Sequence, residues 1–276
     1  MHKVVLINVF IGQFPWYFSY FIHSCRYNNE IDFLIYTDNS SSNTDLPTNV
    51  TLIKFTIEEF NENISRVLNT TVNIKNGYKL CDFKPTYGAV FYDDIKDYDF
   101  WGYCDLDIIW GNIRAFMTSQ LLDTYDVISA RHDYLTGCFT LYRNNELCRH
   151  LFRKSKDYLK VLTSDKNFCF DETNFAFEEF EQGVNYRFIK SEIESMTHVV
   201  RRLHEEGYIR AYFEFQIIEG ITGDIIWDTG TLIFRNEFEV LLYHLVRFKE
   251  VFLEDSNKFK TLKSKLMIEK DGIHLA

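Results

Sequence analysis

Two aspartates one residue apart, Asp105 and Asp107, have the type and spacing in this sequence best suited to chemistry. They follow residues 99–103, an apolar and aromatic run that predicts a buried strand. Alternate side chains of an extended chain lie on one face, so both carboxylates can point into the crevice where open α/β sheets bind ligands. A divalent cation relieves their repulsion and also binds substrate phosphates. The pair therefore predicts a metal site; the competing interpretation is a solvated turn at a strand end.

The elements before this pair alternate between strand and helix. Apolar runs typical of strands buried on both faces occupy residues 4–11, 31–37 and 50–55. Helical patterns fill residues 15–27 and 57–68. This alternation favours an α/β fold with a Rossmann-like, mostly parallel central sheet flanked by helices.

The pattern after the pair predicts fewer regular elements. Strands are expected at residues 126–130 and 138–142, followed by a helix at 147–162. From about residue 185 onward, short strands and turns predict an appended C-terminal region packed on the same sheet.

Composition narrows the classes of protein. The net charge of −10, from 30 Lys and Arg against 40 Asp and Glu, argues against nucleic acid as a partner. Six scattered cysteines without a Cys-x-x-Cys pair favour reduced thiols in a cytoplasmic protein. No apolar stretch is long enough to span a bilayer.

The sequence resembles glycosyltransferases of the A-type fold, whose signature is an Asp-x-Asp near the fourth strand. Residues 79–111 and 239–249 are also similar to a bacterial family of such enzymes from capsule and surface-polysaccharide gene sets. The resemblance runs over most of the chain. It implies a single glycosyltransferase domain over residues 1–276, with a nucleotide-binding half at 1–110, an acceptor half and C-terminal metal and diphosphate segment at 111–250, and a basic tail at 251–276.

The resemblance also implies a reaction. A sugar would move from a nucleoside-diphosphate sugar, with UDP-sugars the leading candidates, to a glycan or a lipid-linked saccharide. Mn²⁺ or Mg²⁺, bound by Asp105 and Asp107, would grip the diphosphate of the donor. The donor sugar, the acceptor and the stereochemical outcome stay open.

Further donor contacts are implied at positions matching those of similar enzymes. The expected contacts with base, ribose, phosphate or sugar are the ends of strands at Val9, Phe10 and Asp38, the residues Lys79, Asp82 and Lys84 before the Asp-x-Asp strand, and Arg131. Simpler interpretations compete: a turn residue for Asp38 and a solvated helix face for the two lysines.

His244 is expected to complete the metal shell. In retaining transferases related to glycogenin, a C-terminal His binds the metal and a following Lys neutralises the diphosphate. Lys249 matches that lysine in role, although the intervening Gly is missing and the spacing is one residue shorter. A neutral imidazole is a reasonable ligand for Mn²⁺; the alternative is a histidine on a helix surface.

Asp171 and Glu172 are the candidates for an acceptor-binding or catalytic carboxylate. They open a helical pattern, where acids are also favoured simply because of the helix dipole. An inverting enzyme would use one of them as the general base, whereas a retaining enzyme needs no such base. Which residue acts stays open.

The C-terminal tail carries five lysines between residues 258 and 270, interleaved with apolar residues at helical spacing. A basic amphipathic helix can rest on an anionic membrane. This predicts a cytoplasmic enzyme with peripheral contact to the inner membrane; a solvated helix is the alternative.

Two other functions are compatible with parts of the sequence. A phosphatase of the haloacid dehalogenase type also has Asp-x-Asp after a hydrophobic strand, but normally on the first strand and before a Gly-Thr-like turn. A non-catalytic glycan-binding or scaffold subunit would account for the aromatic content of 17%.

Overall fold

The computed structural model describes residues 1–39, 45–253 and 262–276. Its strands, in chain order, are β1 Val4–Phe10, β2 Ile31–Thr37, β3 Val50–Lys54, β4 Phe100–Cys104, β5 Ile108–Trp110, β6 Val127–Ser129, β7 Phe139–Arg143, β8 Ala211–Phe213, β9 Ile217–Glu219, β10 Ile225–Asp228, β11 Thr231–Phe234, β12 Phe238–Val240, β13 Leu242–His244, β14 Lys265–Glu269 and β15 Gly272–Leu275.

Helices connect these strands. The α-helices are α1 Phe18–Cys25, α2 Ile57–Leu68, α3 Tyr87–Val90, α4 Tyr92–Ile95, α5 Ile113–Phe116, α6 Ser119–Thr124, α7 Glu146–Arg149, α8 Tyr158–Leu162, α9 Phe177–Glu181, α10 Met196–Glu205 and α11 Phe248–Val251. Three 3₁₀ helices cover Gly77–Thr86, Leu151–Lys154 and Tyr186–Phe188.

The central sheet has seven strands in the order β3-β2-β1-β4-β7-β6-β8. The first four are parallel to one another, β7 is antiparallel to both of its neighbours, and β8 is parallel to β6. Only β7 therefore runs against the other strands. The predicted α/β class, with a mostly parallel sheet flanked by helices, is confirmed.

Strand β1 shows why this sheet forms. Its residues are buried on both faces: Val5 and Ile7 pack in the core that contains Phe60 of α2, whereas Val4 and Leu6 pack in the core that contains Phe21 of α1. A run of apolar residues without polar alternation requires such cover on both sides.

The appended C-terminal region is present, but only β8 joins the central sheet. The strands β12-β11-β10-β14-β15 form an antiparallel sheet, and β5-β13-β9 form a third sheet of three strands. In this third sheet β13 pairs with β5 directly after the Asp-x-Asp turn, which places His244 opposite Ile108.

Two predicted helices differ in the structure. Residues 147–162 form α7, a 3₁₀ helix and α8 rather than one helix. The amphipathic tail helix is wrong where residues are described, because β14 is a strand with Leu266 and Ile268 buried in alternation; residues 258–261 lie outside the described residues. Burial of every second residue is the pattern of a strand with one buried face, not of a helix. Among the described residues, no helix has the length and apolar content needed to span a bilayer.

Candidate functional site

A cavity of about 520 Å³ lies at the carboxyl ends of β1 and β4. This is the edge at which parallel α/β sheets bind ligands. Its lining includes ten of the residues discussed below: Asn8, Val9, Phe10, Lys84, Asp105, Asp107, Asp171, Glu172, His244 and Lys249. Nine of these residues were predicted as site residues from the sequence, and they meet in one place together with Asn8.

Asp105 and Asp107 occupy the turn between β4 and β5. The residue between them, Leu106, is buried in the hydrophobic core. The side chain of Asp105 is 29% exposed and that of Asp107 is 5% exposed. Both line the cavity, as the alternation of side chains predicts.

His244 reaches the aspartates through the pairing of β13 with β5. Its Nε2 lies 3.3 Å from Asp107 Oδ2, and one ligand atom from each of Asp105, Asp107 and His244 lies within 4.8 Å of the others. Carboxylate oxygens and an imidazole nitrogen suit Mn²⁺ or Mg²⁺, so these residues fit the predicted ion.

Glu219 holds the other nitrogen of His244. Residue 219 is the register partner of His244 in the parallel pair β9 and β13, and its Oε1 lies 2.8 Å from His244 Nδ1. Burial alone would lower the pKa of His244, but Cys138 and the Asp107 carboxylate raise it well above its usual value. The raised pKa favours the protonated ring in the metal-free chain, and a bound metal ion would replace one of the ring protons.

Lys249, on α11, neutralises Asp107 from the other side. Its Nζ lies 2.5 Å from Asp107 Oδ2. Burial alone would raise the pKa of Asp107, but His244 and Lys249 hold it well below its usual value. Asp107 is therefore ionised, as a metal ligand must be.

Lys84 joins Asp105 to the predicted catalytic acids. This buried ammonium donates to the Gly137 carbonyl at 2.8 Å and lies 2.7 Å from Asp105 Oδ1 and 3.6 Å from Asp171 Oδ2. Burial would lower its pKa, but the carboxylates, Asp105 foremost, raise it well above its usual value. A fixed positive charge thus lies between two acids at the cavity wall.

Asp171 and Glu172 lie in a turn five residues before α9, not at a helix start as the sequence pattern suggested. Burial raises the pKa of both carboxyl groups. Glu172 Oε1 accepts a hydrogen bond from the Gly137 N–H at 2.6 Å. A Cβ at Gly137 would lie 2.7 Å from Asp171 Oδ2, so only glycine allows this close approach.

Lys79 and Asp82 lie outside the cavity lining, and their role as donor contacts stays a prediction. They are almost completely buried and lie 2.7 Å apart. Lys79 also donates to two backbone carbonyls, and Asp82 accepts from the N–H groups of Phe168 and Phe170. Their polar atoms are occupied inside the protein.

Arg131 is also not part of the cavity lining. Its guanidinium binds three carboxylates, with Nη1 2.7 Å from Glu219 Oε2 and Nη2 close to Asp133 and Glu181. Arg131 is thus linked to His244 through Glu219, and its contact with donor phosphate stays a prediction.

Asp38 is exposed directly after β2. Its Oδ1 accepts a hydrogen bond from the Gly12 N–H at 2.7 Å, next to the cavity residue Ile11, but Asp38 itself is not part of the lining. Its contact with a nucleoside stays a prediction.

Sequence reasoning missed several residues at the site. Asn8, on β1, donates to the Cys104 carbonyl at 2.6 Å, while its Oδ1 is buried without a partner in the described chain. Tyr78 lines the cavity and is 68% exposed. Asn8 could have been found from the sequence, because it interrupts an apolar strand. Glu219, which binds His244, was also missed, and no pattern in the sequence indicates its role.

A family model described as "Family of unknown function (DUF6625)" matches residues 6–274. The chain belongs to this family. No curated protein matches the sequence of this DUF6625 member.

Among the solved structures similar to this DUF6625 chain are glycosyltransferases. An active-site mutant of LgtC and the galactosyltransferase LgtC in complex with donor and acceptor sugar analogs share 12% and 13% identity, each with a TM-score of 0.36 over 78% of this chain and 75% of theirs. Mouse xyloside xylosyltransferase 1 in its apo form shares 9% identity, with a TM-score of 0.46 over 88% of this chain and 96% of its own. Likeness this weak does not transfer an activity to the DUF6625 chain.

Proposed function

We propose that this DUF6625 chain is a metal-dependent glycosyltransferase that uses a nucleoside-diphosphate sugar, with UDP-sugars the first candidates. The acceptor is a glycan or a lipid-linked saccharide. The observation that carries the proposal is the meeting of Asp105, Asp107, His244 and Lys249 at one cavity on the carboxyl edge of a mostly parallel sheet.

The charges at this end of the cavity suit a diphosphate. Asp105, Asp107 and His244 would hold Mn²⁺ or Mg²⁺, which neutralises the charge that develops on the leaving nucleoside diphosphate. Lys249 lies beside Asp107 and adds a second cation where that charge develops. The ends of β1, at Val9 and Phe10, and the exposed ring of Tyr78 supply the wall for the nucleoside.

The acids at the other end of the cavity suit the sugar and its acceptor. Glu172 is fixed by the Gly137 N–H, and Asp171 lies beside Lys84. Burial raises the pKa of both, which makes either a stronger base for an acceptor hydroxyl. We assign these two residues to the acceptor side and leave Arg131 an indirect role through Glu219.

A role in bacterial surface-polysaccharide synthesis and a cytoplasmic location are proposed on the sequence resemblance. Membrane contact through a helical tail is not carried forward, because residues 265–269 form β14.

Thermal denaturation with a matrix of metals and nucleotides tests the proposal. UDP with Mn²⁺ should raise the melting temperature of the full chain, and either one alone should raise it much less. At a hundredfold excess over the Kd, ligand binding stabilises by about 2.7 kcal/mol, a shift of several degrees for a chain of this size. Asp107→Ala should remove the joint effect, and Asp93→Ala, an exposed acid on α4, should keep it.

Other outcomes would contradict the proposal. If UDP and Mn²⁺ stabilised the Asp107→Ala variant as much as the wild type, Asp107 would not be a metal ligand. Turnover of p-nitrophenyl phosphate, abolished by Asp105→Asn, would indicate the phosphatase. A response to free glycans with indifference to metal and nucleotide would indicate a non-catalytic binding subunit. Hydrolysis of a panel of nucleotide sugars would then identify the donor.

A further inference from the structure

A second group of metal-ligand residues adjoins the Asp-x-Asp site. One ligand atom from each of Cys138, Glu219 and His244 lies within 4.8 Å of the other two. Three separate parts of the chain supply these residues. Cys138 directly precedes β7, Glu219 is the last residue of β9, and His244 is the last residue of β13. Cys138 and His244 both line the cavity, so an ion that enters the cavity can reach them.

His244 has a carboxylate at each ring nitrogen. Asp107 Oδ2 lies 3.3 Å from Nε2, and Glu219 Oε1 lies 2.8 Å from Nδ1. A metal ion can therefore replace the proton on either nitrogen. Arg131 binds the other oxygen of Glu219, Oε2, at 2.7 Å, which leaves Oε1 as a fixed ligand atom.

The two sets of ligands differ in chemistry. The set with Asp105 and Asp107 offers carboxylate oxygens and suits a hard ion, whereas the set with Cys138 offers a thiol that becomes a soft thiolate. Zn²⁺ binds Cys, His and Glu, and a water molecule commonly completes its four ligands.

We propose that Cys138, Glu219 and His244 form a second metal site for a thiophilic divalent ion such as Zn²⁺. Binding forms bonds to sulfur, nitrogen and oxygen and releases the thiol proton of Cys138 and one imidazolium proton of His244 to solvent, with no change of oxidation state. A neutral imidazole has one free lone pair, so this ion competes for His244 with the ion at Asp105 and Asp107. The competition rests on the proposed function; the thiophilic site does not.

Cobalt absorption tests the site directly. Co²⁺ added to the purified, reduced full chain should give a near-ultraviolet thiolate-to-cobalt charge-transfer band, which one equivalent of Zn²⁺ removes. Cys138→Ser should abolish the band, and Glu219→Gln should weaken Co²⁺ binding at least about tenfold. Cys81→Ser, at another cysteine of the cavity lining, and Asp107→Asn should both retain it. Absence of the band, or its persistence in Cys138→Ser, would overturn the proposal.

Manganese release tests the competition. The solution electron paramagnetic resonance signal of free Mn²⁺ should increase when one equivalent of Zn²⁺ is added to the Mn²⁺-loaded wild-type chain, and should change much less in Cys138→Ser. A cobalt–thiolate band in a chain that does not bind Mn²⁺ would contradict the proposed function but would still support the thiophilic site. Mn²⁺ that is retained against Zn²⁺ in the wild type would disprove the competition.

Discussion

Two buried lysines of the same 3₁₀ helix, Lys79 and Lys84, each bind an aspartate at 2.7 Å, yet the two pairs have different surroundings. Lys79 pairs with Asp82 inside the protein, and Lys84 pairs with Asp105 at the cavity. We call these the sealed pair and the open pair.

The sealed pair has no position left for a ligand. Lys79 Nζ donates to Asp82 and to the carbonyls of Val161 and Lys166, and the carboxylate of Asp82 also accepts from two backbone N–H groups. These bonds tie the 3₁₀ helix to residues 161–170. The pair therefore positions this loop and does not line the cavity.

The open pair is incomplete within the protein. Asp105 is 29% exposed and faces the cavity, and Asp171 lies 3.6 Å from the same lysine. A buried cation that balances two acids at a cavity wall leaves carboxylate oxygens for another cation. The lysine–aspartate distance is 2.7 Å in both pairs, but only the open pair lines the cavity and can contact a ligand.

Loss of the sealed lysine should have the largest effect on stability. Lys79→Met leaves the carboxylate of Asp82 buried without its cation, which typically costs about 3–5 kcal/mol. Urea unfolding should show this loss relative to the wild type, and the difference should be the same with and without Mn²⁺ and UDP, because the metal site of the variant is intact. Lys75→Met, at an exposed lysine nearby, should change the free energy of unfolding little. If Lys79→Met lost as little unfolding free energy as Lys75→Met, the sealed pair would not have the structural role assigned to it.

Loss of the open lysine should be smaller and reversible by metal. Lys84→Met leaves Asp105 and Asp171 without their common cation, at a cost of about 1–3 kcal/mol for the unmatched groups. Mn²⁺ should recover part of this stability, because an ion on Asp105 replaces the missing charge. Urea unfolding with and without Mn²⁺ measures the recovery, and Lys79→Met is the matched control. Equal metal effects on both variants would contradict the comparison.

A third substitution tests whether Glu219, which does not line the cavity, positions the metal ligand His244. Glu219→Gln removes the charge that orients His244, and such partners of metal ligands typically contribute about tenfold or more to metal affinity. Mn²⁺ affinity, measured by electron paramagnetic resonance, should fall accordingly. Glu181→Gln is the matched control, since Glu181 also binds Arg131 but no bond to His244 is seen. A similar fall in both variants would indicate a general structural effect.

The sequence predicted those parts of the fold and site that depend on local pattern. Apolar runs identified β1, β2 and β3, and the spacing of two residues placed Asp105 and Asp107 on one side of a turn. Resemblance added the roles of His244 and Lys249, which lie more than 130 residues further along the chain; their position at the cavity agrees with those roles.

The sequence did not distinguish the sealed pair from the open pair. A solvated helix face was one interpretation of the two lysines, but residues Gly77–Thr86 form a 3₁₀ helix, in which positions three apart eclipse one another. That geometry brings Lys79 onto Asp82. Glu219 was missed because its contact with His244 depends on the register of two three-residue strands, β9 and β13, which no local pattern specifies.

The smallest expected effect is on the pH dependence of stability, and it distinguishes Asp171, which lies beside the open pair, from an ordinary carboxylate. Burial, with the nearby charge of Glu172, raises the pKa of Asp171 well above its usual value despite Lys84. The folded chain therefore keeps a proton that the unfolded chain releases above about pH 4, so this group lowers stability as the pH rises toward the folded pKa. Asp171→Asn mimics the protonated form and should flatten the fall in unfolding free energy as the pH rises above about pH 4, as measured by urea denaturation without metal. Asp93→Asn, at an exposed acid, should leave the slope as it is. An unchanged slope in Asp171→Asn would mean that Lys84 keeps Asp171 ionised throughout this range, beside the charged carboxylate of Asp105.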